Sequence, residues 1–152
     1  MDEPRTDNFA ITDWQHLVDL WLRVYNEAGR PDWSPLLPYY APDVHFTDTV
    51  QELHGLDAFR DMVERLAARS NELRMAVRHA AMQDRVIFIE WEMTILFRKT
   101  RPVVMHGISR MTLNEAGKIV DQWDMYDLWG AIFDNIPGLN RLYRKFMRKV
   151  FG

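Results

Sequence analysis

The sequence predicts an α+β fold in which helices cover one face of a curved antiparallel sheet. In the first 70 residues, apolar residues recur at helical spacing in two segments, at 13–28 and 56–70. Beyond residue 71, short apolar runs alternate with turn residues, which is typical of successive strands. A sheet of this kind, wrapped over its helices, is expected to enclose a cone-shaped cavity.

The first helix is predicted over residues 13–28. Thr12 or Asp13 can cap its start, and Gly29 followed by Pro31 ends it. Residues 31–43 hold four of the seven prolines and are expected to form a turn-rich connection with at most a short helix. The apolar face of this first helix comprises Trp14, Leu17, Val18, Trp21, Val24 and Tyr25.

The strands are predicted as one short strand before the second helix and a meander of four after it. Residues 83–85 and 114–117 are expected to be short hairpin turns, and 99–101 a basic third turn. The predicted strands cover residues 44–48, 73–81, 86–98, 102–113 and 118–127.

The chain is interpreted as a single domain, residues 1–152, with a core at 13–130 and a basic C-terminal segment at 131–152. Residues 141–152 carry five basic and no acidic residues, so a chain of net charge −3 has a body of −8. An apolar stripe opposes these cations. This tail could close the cavity, contact a partner subunit or lie on an anionic membrane; packing on the acidic body is the preferred interpretation over membrane contact.

Composition excludes several classes of function. The chain has no Cys, which removes thiolate chemistry and Cys-based metal sites and is compatible with a cytoplasmic location. A body this acidic is a poor nucleic-acid binder. No run of 18 apolar residues occurs. Because there is also no Gly-rich phosphate loop, no cofactor is expected.

The last predicted strand is unusually polar. Strand interiors disfavour Asp, and alternation places Gln122, Asp124 and Tyr126 on one face and Trp123 and Asp127 on the other. If the first face lines an apolar cavity, burial would raise the pKa of Asp124 and suit it to proton transfer. The alternative is a solvated carboxylate or one at a dimer face.

Four short motifs resemble the nuclear transport factor 2-like superfamily, in its SnoaL-like branch of polyketide cyclases, ketosteroid isomerases and limonene-epoxide-hydrolase-like proteins. They are residues 40–48 (YAPDVHFTD), 54–59 (HGLDAF), 114–120 (NEAGKIV) and 123–127 (WDMYD), and the resemblance spans about 13–130. It implies a small hydrophobic ligand, steroid-, terpene- or polyketide-like, and an isomerase, cyclase or epoxide hydrolase without a cofactor. A non-catalytic binding or assembly module is the alternative.

The resemblance also implies catalytic positions. The ketosteroid isomerase base matches Asp48, whose other interpretation is a turn carboxylate at a strand end. The oxyanion-binding Tyr and Asp of those enzymes fall near Trp21 and Ser109. The last-strand acid or base of the cyclases and epoxide hydrolases matches Asp124, whereas the Arg and Asp that epoxide hydrolases add fall at Trp91 and Met93 and are not retained.

The remaining candidates line or flank this expected site. Gly107 beside His106 indicates a bulge or a close approach of backbone or ligand, although strict alternation turns His106 away from Ser109. Glu90 and Glu92 are interpreted as a pair on the exposed face of the sheet, which Arg98 or Arg110 could neutralise, rather than as metal ligands, and no metal site is predicted. A homodimer through the outer face of the sheet is expected. The predicted substrate-binding residues are Trp21, Tyr25, Trp91, His106, Ser109 and Tyr126.

Overall fold

The structure, a computed structural model, describes residues 9–25, 29–97, 101–134, 136 and 138–152. None of the helices in these ranges is long and apolar enough to cross a membrane. The elements are α1 (Trp14–Val24), a 3-10 turn (Leu37–Tyr39), β1 (Tyr40–Thr47), β2 (Glu52–His54), α2 (Leu56–Arg69), β3 (Ser70–Gln83), β4 (Val86–Phe97), β5 (Val103–Leu113), β6 (Ile119–Tyr126), α3 (Leu128–Asp134) and α4 (Leu139–Phe151).

The strands of the described residues form one curved, unclosed mixed sheet in the order β2-β1-β6-β5-β4-β3. The meander from β3 to β6 is antiparallel, as expected. The pairing of β1 with β6 is parallel, so the expectation of an antiparallel sheet is wrong for this pair. The α+β class predicted from the sequence is confirmed, because α1 packs on β3 and α2 packs on β1 and β3.

The core lies between the two helices and the inner face of the sheet. Alternate residues of β4, from Ile87 to Ile95, point inward and are buried, while Phe88 and Glu90 point outward. In α1 the buried residues are Leu17, Leu20, Trp21 and Val24, one face of a helix whose first turn is capped by Asp13 accepting from the His16 N–H at 2.8 Å.

Several boundaries differ from the prediction. Helix α1 ends at Val24, and residues 26–28, predicted as helical, lie outside the described residues. So do residue 98, predicted as strand, and residues 99 and 100 of the third turn predicted at 99–101. Strand β1 begins at Tyr40, earlier than predicted, and contains Pro42. Proline is tolerated there because β2 pairs only with His45 to Thr47, so no residue of β2 lies opposite Pro42. Strand β2, three residues long, was not predicted.

Helix α4 does not pack its apolar face on the acidic body, contrary to the preferred interpretation. Its main neighbour is α3. Leu142, Phe146, Val150 and Phe151 are 65%, 61%, 54% and 79% exposed. Trp129 in α3 is 59% exposed.

Gly107 lies where a side chain would collide with Trp91, its cross-strand partner in β4. A Cβ at this position would be 2.3 Å from Cζ2 of the Trp91 ring and 2.9 Å from the Met125 carbonyl oxygen. The close approach suggested by the sequence is therefore that of the Trp91 ring, which occupies the space left by the missing side chain.

We expect Gly107→Ala to lower the free energy of unfolding by about 1–3 kcal/mol, because the Trp91 ring must shift to admit the methyl group. Urea unfolding measures this change. The neighbouring His106→Ala, on the exposed face, is the control and should stay within about 0.5 kcal/mol of wild type. Equal effects of the two substitutions would contradict the role given to Gly107.

Candidate active site

A cavity of about 80 Å³ opens between α1, α2 and the inner face of the sheet. It adjoins a wider mouth of about 450 Å³, with which it shares the lining residues Asp48, Met62, Leu66, Met93 and Tyr126. The mouth alone has the size of a pocket for a small organic ligand, roughly 300–1,000 Å³. The inner cavity is lined mainly by aromatic and aliphatic side chains, among them Trp21, Tyr25, Trp33, Phe46, Phe59 and Trp91.

Asp124 is the carboxylate at the inner end of this cleft. Its Oδ1 accepts a hydrogen bond of 2.5 Å from the Ser109 hydroxyl, and Gln122 Nε2 donates to Oδ1 at 3.0 Å and to Oδ2 at 3.1 Å. Ser109 and Asp124 are direct cross-strand partners on β5 and β6, so the sheet register itself brings them together. As alternation predicted, Gln122, Asp124 and Tyr126 all line the cavity.

The direction of the hydrogen bonds around Asp124 is fixed by chemistry. An indole N–H can only donate, and Trp91 Nε1 donates to Ser109 Oγ at 2.9 Å, so the serine hydrogen is left for Asp124. On the other side, the Tyr40 hydroxyl donates to Gln122 Oε1 at 2.6 Å and leaves the amide N–H₂ for Asp124. Two series of hydrogen bonds, one through Ser109 and one through Gln122, therefore end on the Asp124 carboxylate.

Burial and hydrogen bonding act in opposite directions on Asp124. Desolvation raises its pKa from the ordinary 3.8 to about 6, the charge of Asp48 adds to the rise, and the hydrogen bonds from Ser109 and Gln122 lower it. The rise corresponds to about 3 kcal/mol. Between about pH 4 and 6 the folded chain keeps a proton that the unfolded chain releases, so this group lowers the free energy of unfolding as pH increases across that window.

Asp48 has the contacts of a turn carboxylate and also lines the cleft. Its Oδ1 accepts from the backbone N–H groups of Val50 and Gln51 at 2.7 and 2.8 Å, which is the turn role. Its Oδ2 accepts from the Tyr126 hydroxyl at 3.2 Å, and the residue lines both the inner cavity and the mouth. Burial, together with the negative charge of Asp48, raises the pKa of Tyr126, which therefore stays a hydrogen-bond donor at neutral pH.

Two indole N–H groups in this cavity lack a hydrogen bond of good geometry. Among the described residues, they belong to Trp21 and Trp33, and both nitrogen atoms are buried; the Trp21 N–H lies close to the Tyr25 hydroxyl, whose pKa it lowers against the larger effect of burial. A buried donor without a partner is costly, about 1–3 kcal/mol, so such donors in a cavity suit a ligand oxygen. Trp33 was not among the predicted site residues; it follows Asp32 in the proline-rich connection, where no periodicity marks it.

Most of the predicted site residues lie together. Trp21, Tyr25, Trp91 and Tyr126 line the cavity with the two aspartates, and Ser109 lies behind Asp124. The prediction for His106 is wrong: its side chain is 74% exposed on the outer face, with Nδ1 at 3.7 Å from Glu92 Oε2. No bulge interrupts β5 between His106 and Ser109, so alternation places them on opposite faces.

Outside the cavity, the outer-face carboxylates Glu90 and Glu92 are paired with basic side chains. Glu92 accepts from Arg78 at 2.8 Å, and Glu90 Oε2 lies 2.7 Å from His79 Nδ1. The sequence suggested Arg98 or Arg110 instead; Arg98 lies outside the described residues, and Arg110 donates to Asp121 at 2.7 Å.

His45, Glu52 and His54 form a cluster whose potential metal ligand atoms lie within 4.8 Å of one another. The two imidazole rings are stacked, with centroids 4.7 Å apart and an interplanar angle of 19°. Their ring-nitrogen lone pairs therefore lie in nearly parallel planes, and one ring would have to rotate before both could bind one ion. Hydrogen bonds to Asp121 and Glu52 raise the pKa of His45, so a proton would compete with such an ion.

Comparison with known proteins places this geometry in context. The family of SnoaL-like domains matches residues 18–122. None of the curated proteins matches the sequence significantly.

Among solved structures, a protein from Shewanella denitrificans assigned as a SnoaL-like polyketide cyclase superposes with a TM-score of 0.63 at 15% identity, covering 78% of this chain and 94% of its own. A ketosteroid-isomerase-like protein from Catenulispora acidiphila, in complex with trimethylamine, gives 0.66 at 14% identity, covering 78% and 90%. An epoxide hydrolase of the limonene type from M. tuberculosis gives 0.65 at 11% identity, covering 87% and 98%. At such identities these likenesses show the fold.

We expect Ser109→Ala to raise the pKa of Asp124 further above about 6, because it removes a donor that stabilises the carboxylate. Titration of the Asp124 carboxyl carbon by NMR measures this. Thr112→Ala, which removes a hydroxyl from the other face of the same strand, is the control and should leave the titration unchanged. A lower pKa in Ser109→Ala would show that the hydrogen bond does not act as described.

Proposed function

The chain belongs to the SnoaL-like family, and from that premise we propose that it is a cofactor-independent enzyme that transfers protons on a small hydrophobic, oxygen-containing molecule. The reaction is an isomerisation, a cyclisation or an epoxide opening, which share one requirement: a carboxyl group that can both take and give a proton inside an apolar cleft. The observation that carries the proposal is Asp124, whose pKa of about 6 leaves both forms populated near neutral pH.

Asp124 is proposed as the group that takes the substrate proton. Its Oδ1 accepts hydrogen bonds from Ser109 and Gln122, whereas Oδ2 accepts only from Gln122 among the described residues, at 3.1 Å, and keeps a lone pair available. Because these donors hold the carboxylate in place, it needs little reorganisation during the reaction.

The negative charge that develops on the substrate oxygen requires hydrogen-bond donors. We assign this role to the buried indole N–H of Trp33, which lacks a hydrogen bond of good geometry to the described residues, and to that of Trp21, which would turn from the Tyr25 hydroxyl to the substrate. Trp21 lies at the position where ketosteroid isomerases have a tyrosine, so a different donor would serve the same purpose. Asp48 supplies the second carboxylate, and Tyr126 shares its hydroxyl hydrogen with it.

The side chains that line the mouth suit an apolar substrate that carries oxygen atoms. Its lining is mostly aliphatic, with Val50, Ile95, Val103, Met105 and Leu128 around it. Arg65 and Arg69 of α2 stand at the same rim and suit an acidic oxygen at the outer end of the ligand. A steroid, terpene or polyketide derivative with carbonyl or phenol oxygens has this character.

A non-catalytic ligand-binding module is the second candidate. It is favoured by the residues at Trp91 and Met93, which replace the Arg and Asp of the epoxide hydrolases, and by the small inner cavity of about 80 Å³. Such a module would bind the same class of ligand in the mouth without converting it. Turnover by the wild-type chain separates the two candidates.

We expect Asp124→Asn to abolish turnover while leaving ligand binding and the fold intact, because the amide cannot take a proton. The assay uses an apolar epoxide, a β,γ-unsaturated steroid ketone and an aromatic β-keto ester, with binding followed by tryptophan fluorescence. In the wild type, turnover should change with an apparent pKa of about 6, rising with pH if Asp124 acts first as the base.

The matched control is Asp127→Asn, three residues further along and on the other face, where the carboxylate accepts from the Gly130 N–H at 2.8 Å just before α3 begins. It should retain most of the turnover. Unchanged turnover in Asp124→Asn would reject the assignment, and ligand binding by the wild type without turnover of any of the three substrates would favour the binding module.

We also propose that the chain forms a homodimer through the outer face of the sheet. Phe88, Val104, Ile108 and Trp123, on three adjacent strands, are each 40–44% exposed there. An apolar face of this kind is typical of a protein interface.

We expect Ile108→Glu to convert a wild-type dimer into a monomer, since it introduces a charge at the centre of that face. Light scattering at micromolar concentration measures the mass. Leu22→Glu, at a 43% exposed position on α1, is the control and should remain dimeric. A monomeric wild type would contradict the proposal.

A further inference from the structure

Helix α4 separates its residues into an apolar half and a basic half. At 3.6 residues per turn, the apolar side chains from Leu139 to Val150 fall on one side and all five cations on the other. Residues 139–152 contain no acidic residue. The helix lies beyond residue 122, where the match to the SnoaL-like domain ends, and the site described above does not use it.

The apolar half consists of two rows. Leu139, Tyr143 and Met147 form a half-buried row, in keeping with the contact of α4 with α3. Leu142, Phe146 and Val150 form a row that is 54–65% exposed. Three large adjacent apolar side chains that stay exposed are typical of a surface that docks on a protein or a membrane.

The cations identify that environment. Arg141, Lys145 and Lys149 follow one another at four-residue spacing, directly beside the exposed apolar row, and Arg144 and Arg148 complete the basic half. Long Lys and Arg side chains can lay their methylene stems along apolar surface and extend their charged ends to phosphate groups. An anionic bilayer supplies both features side by side.

A second copy of the chain fits these charges less well. The acidic body of a second copy could attract the cations. A protein groove that is deep enough to hold the apolar row, however, covers only the apolar half of the helix and leaves the basic half without a partner surface. A bilayer surface is broad, so the apolar row can enter the acyl boundary while the flanking cations reach the headgroups. The helix is about 20 Å long, too short to span the hydrocarbon core of about 30 Å, so it must lie in the plane of the surface.

We propose that α4 docks the protein on an anionic lipid surface through Leu142, Phe146 and Val150, with Arg141, Lys145 and Lys149 contacting the lipid headgroups. This proposal does not depend on the proposed reaction. Docking would nevertheless have a consequence for the proposed reaction. Helix α4 packs on α3, and α3 begins at Leu128, which lines the mouth of the cleft. A docked chain would therefore hold the mouth close to a membrane in which hydrophobic molecules dissolve.

The experiment is co-sedimentation of the full chain with vesicles of phosphatidylcholine containing phosphatidylglycerol, compared with phosphatidylcholine alone. The wild type should bind the anionic vesicles, bind the neutral ones far less, and dissociate as salt is added. Phe146→Ser with Val150→Ser, and separately Lys145→Gln with Lys149→Gln, should each weaken binding by about tenfold or more.

Two variants are matched controls: Leu22→Ser removes an exposed apolar residue from α1, away from the proposed dimer face, and Arg23→Gln removes a cation from the same helix. Both should bind like the wild type, and circular dichroism checks that every variant is folded. Equal binding to neutral vesicles, no binding at all, or an equal loss in the controls would overturn the proposal. One further pair of results would overturn it: no vesicle binding by the wild type, and half the wild-type mass for the Phe146→Ser, Val150→Ser double variant in light scattering. The exposed apolar row would then be an interface with a second copy of the chain.

Discussion

The hydrogen bond from the Ser109 hydroxyl to Asp124 connects the sheet, the core and the site. It exists because the β5–β6 register places the two residues opposite each other on the inner face. A buried carboxylate without such donors would be too costly to keep in an apolar cavity. With them, the carboxylate stays in place but remains easier to protonate than an exposed one. The same contact therefore lowers the cost of burying the carboxylate and still leaves it able to gain and lose a proton.

The support for this contact extends outward through residues that make no hydrogen bond to Asp124 themselves. Trp91 donates to Ser109, and its ring can reach that position because Gly107 lacks a side chain. Tyr40, on a strand far away in the sequence, turns the Gln122 amide so that its N–H₂ group meets Asp124. Side chains with fixed donors and fixed positions thus determine the environment of one carboxyl group, so the site is built from the core outward.

Much of this could be predicted from local sequence, and the rest could not, for physical reasons. Period-2 alternation was sufficient to place Asp124 and Tyr126 on the same face of the last strand, although it left open whether that face lines the cavity or meets solvent or a partner subunit. The two helices and the strands of the meander followed equally from spacing and turn residues. The parallel pairing of β1 with β6 could not be predicted in this way, because it joins segments about 75 residues apart and depends on the whole topology.

The errors have a similar origin. Trp33 lies in an irregular segment, where only the packing of the helices shows that its ring reaches the cavity. His106 was included for its chemistry and its neighbouring glycine, but that glycine accommodates Trp91 rather than a ligand. Helix α4 has the amphipathic pattern that predicts docking, yet a pattern cannot say what it docks on. Local rules determine which face a side chain occupies, whereas the identity of its neighbour is set by long-range contacts.

The turn between β1 and β2 links architecture to chemistry. One oxygen of Asp48 closes this turn by accepting two backbone N–H groups, and the other accepts from Tyr126 inside the cleft. Insertions in a surface turn are usually tolerated and allow related proteins to diversify. Here a longer turn would release the first oxygen and let the second swing away from the cleft. Evolution of a new substrate range in this chain should therefore proceed by exchange of side chains around the mouth, while the length of this turn stays constant.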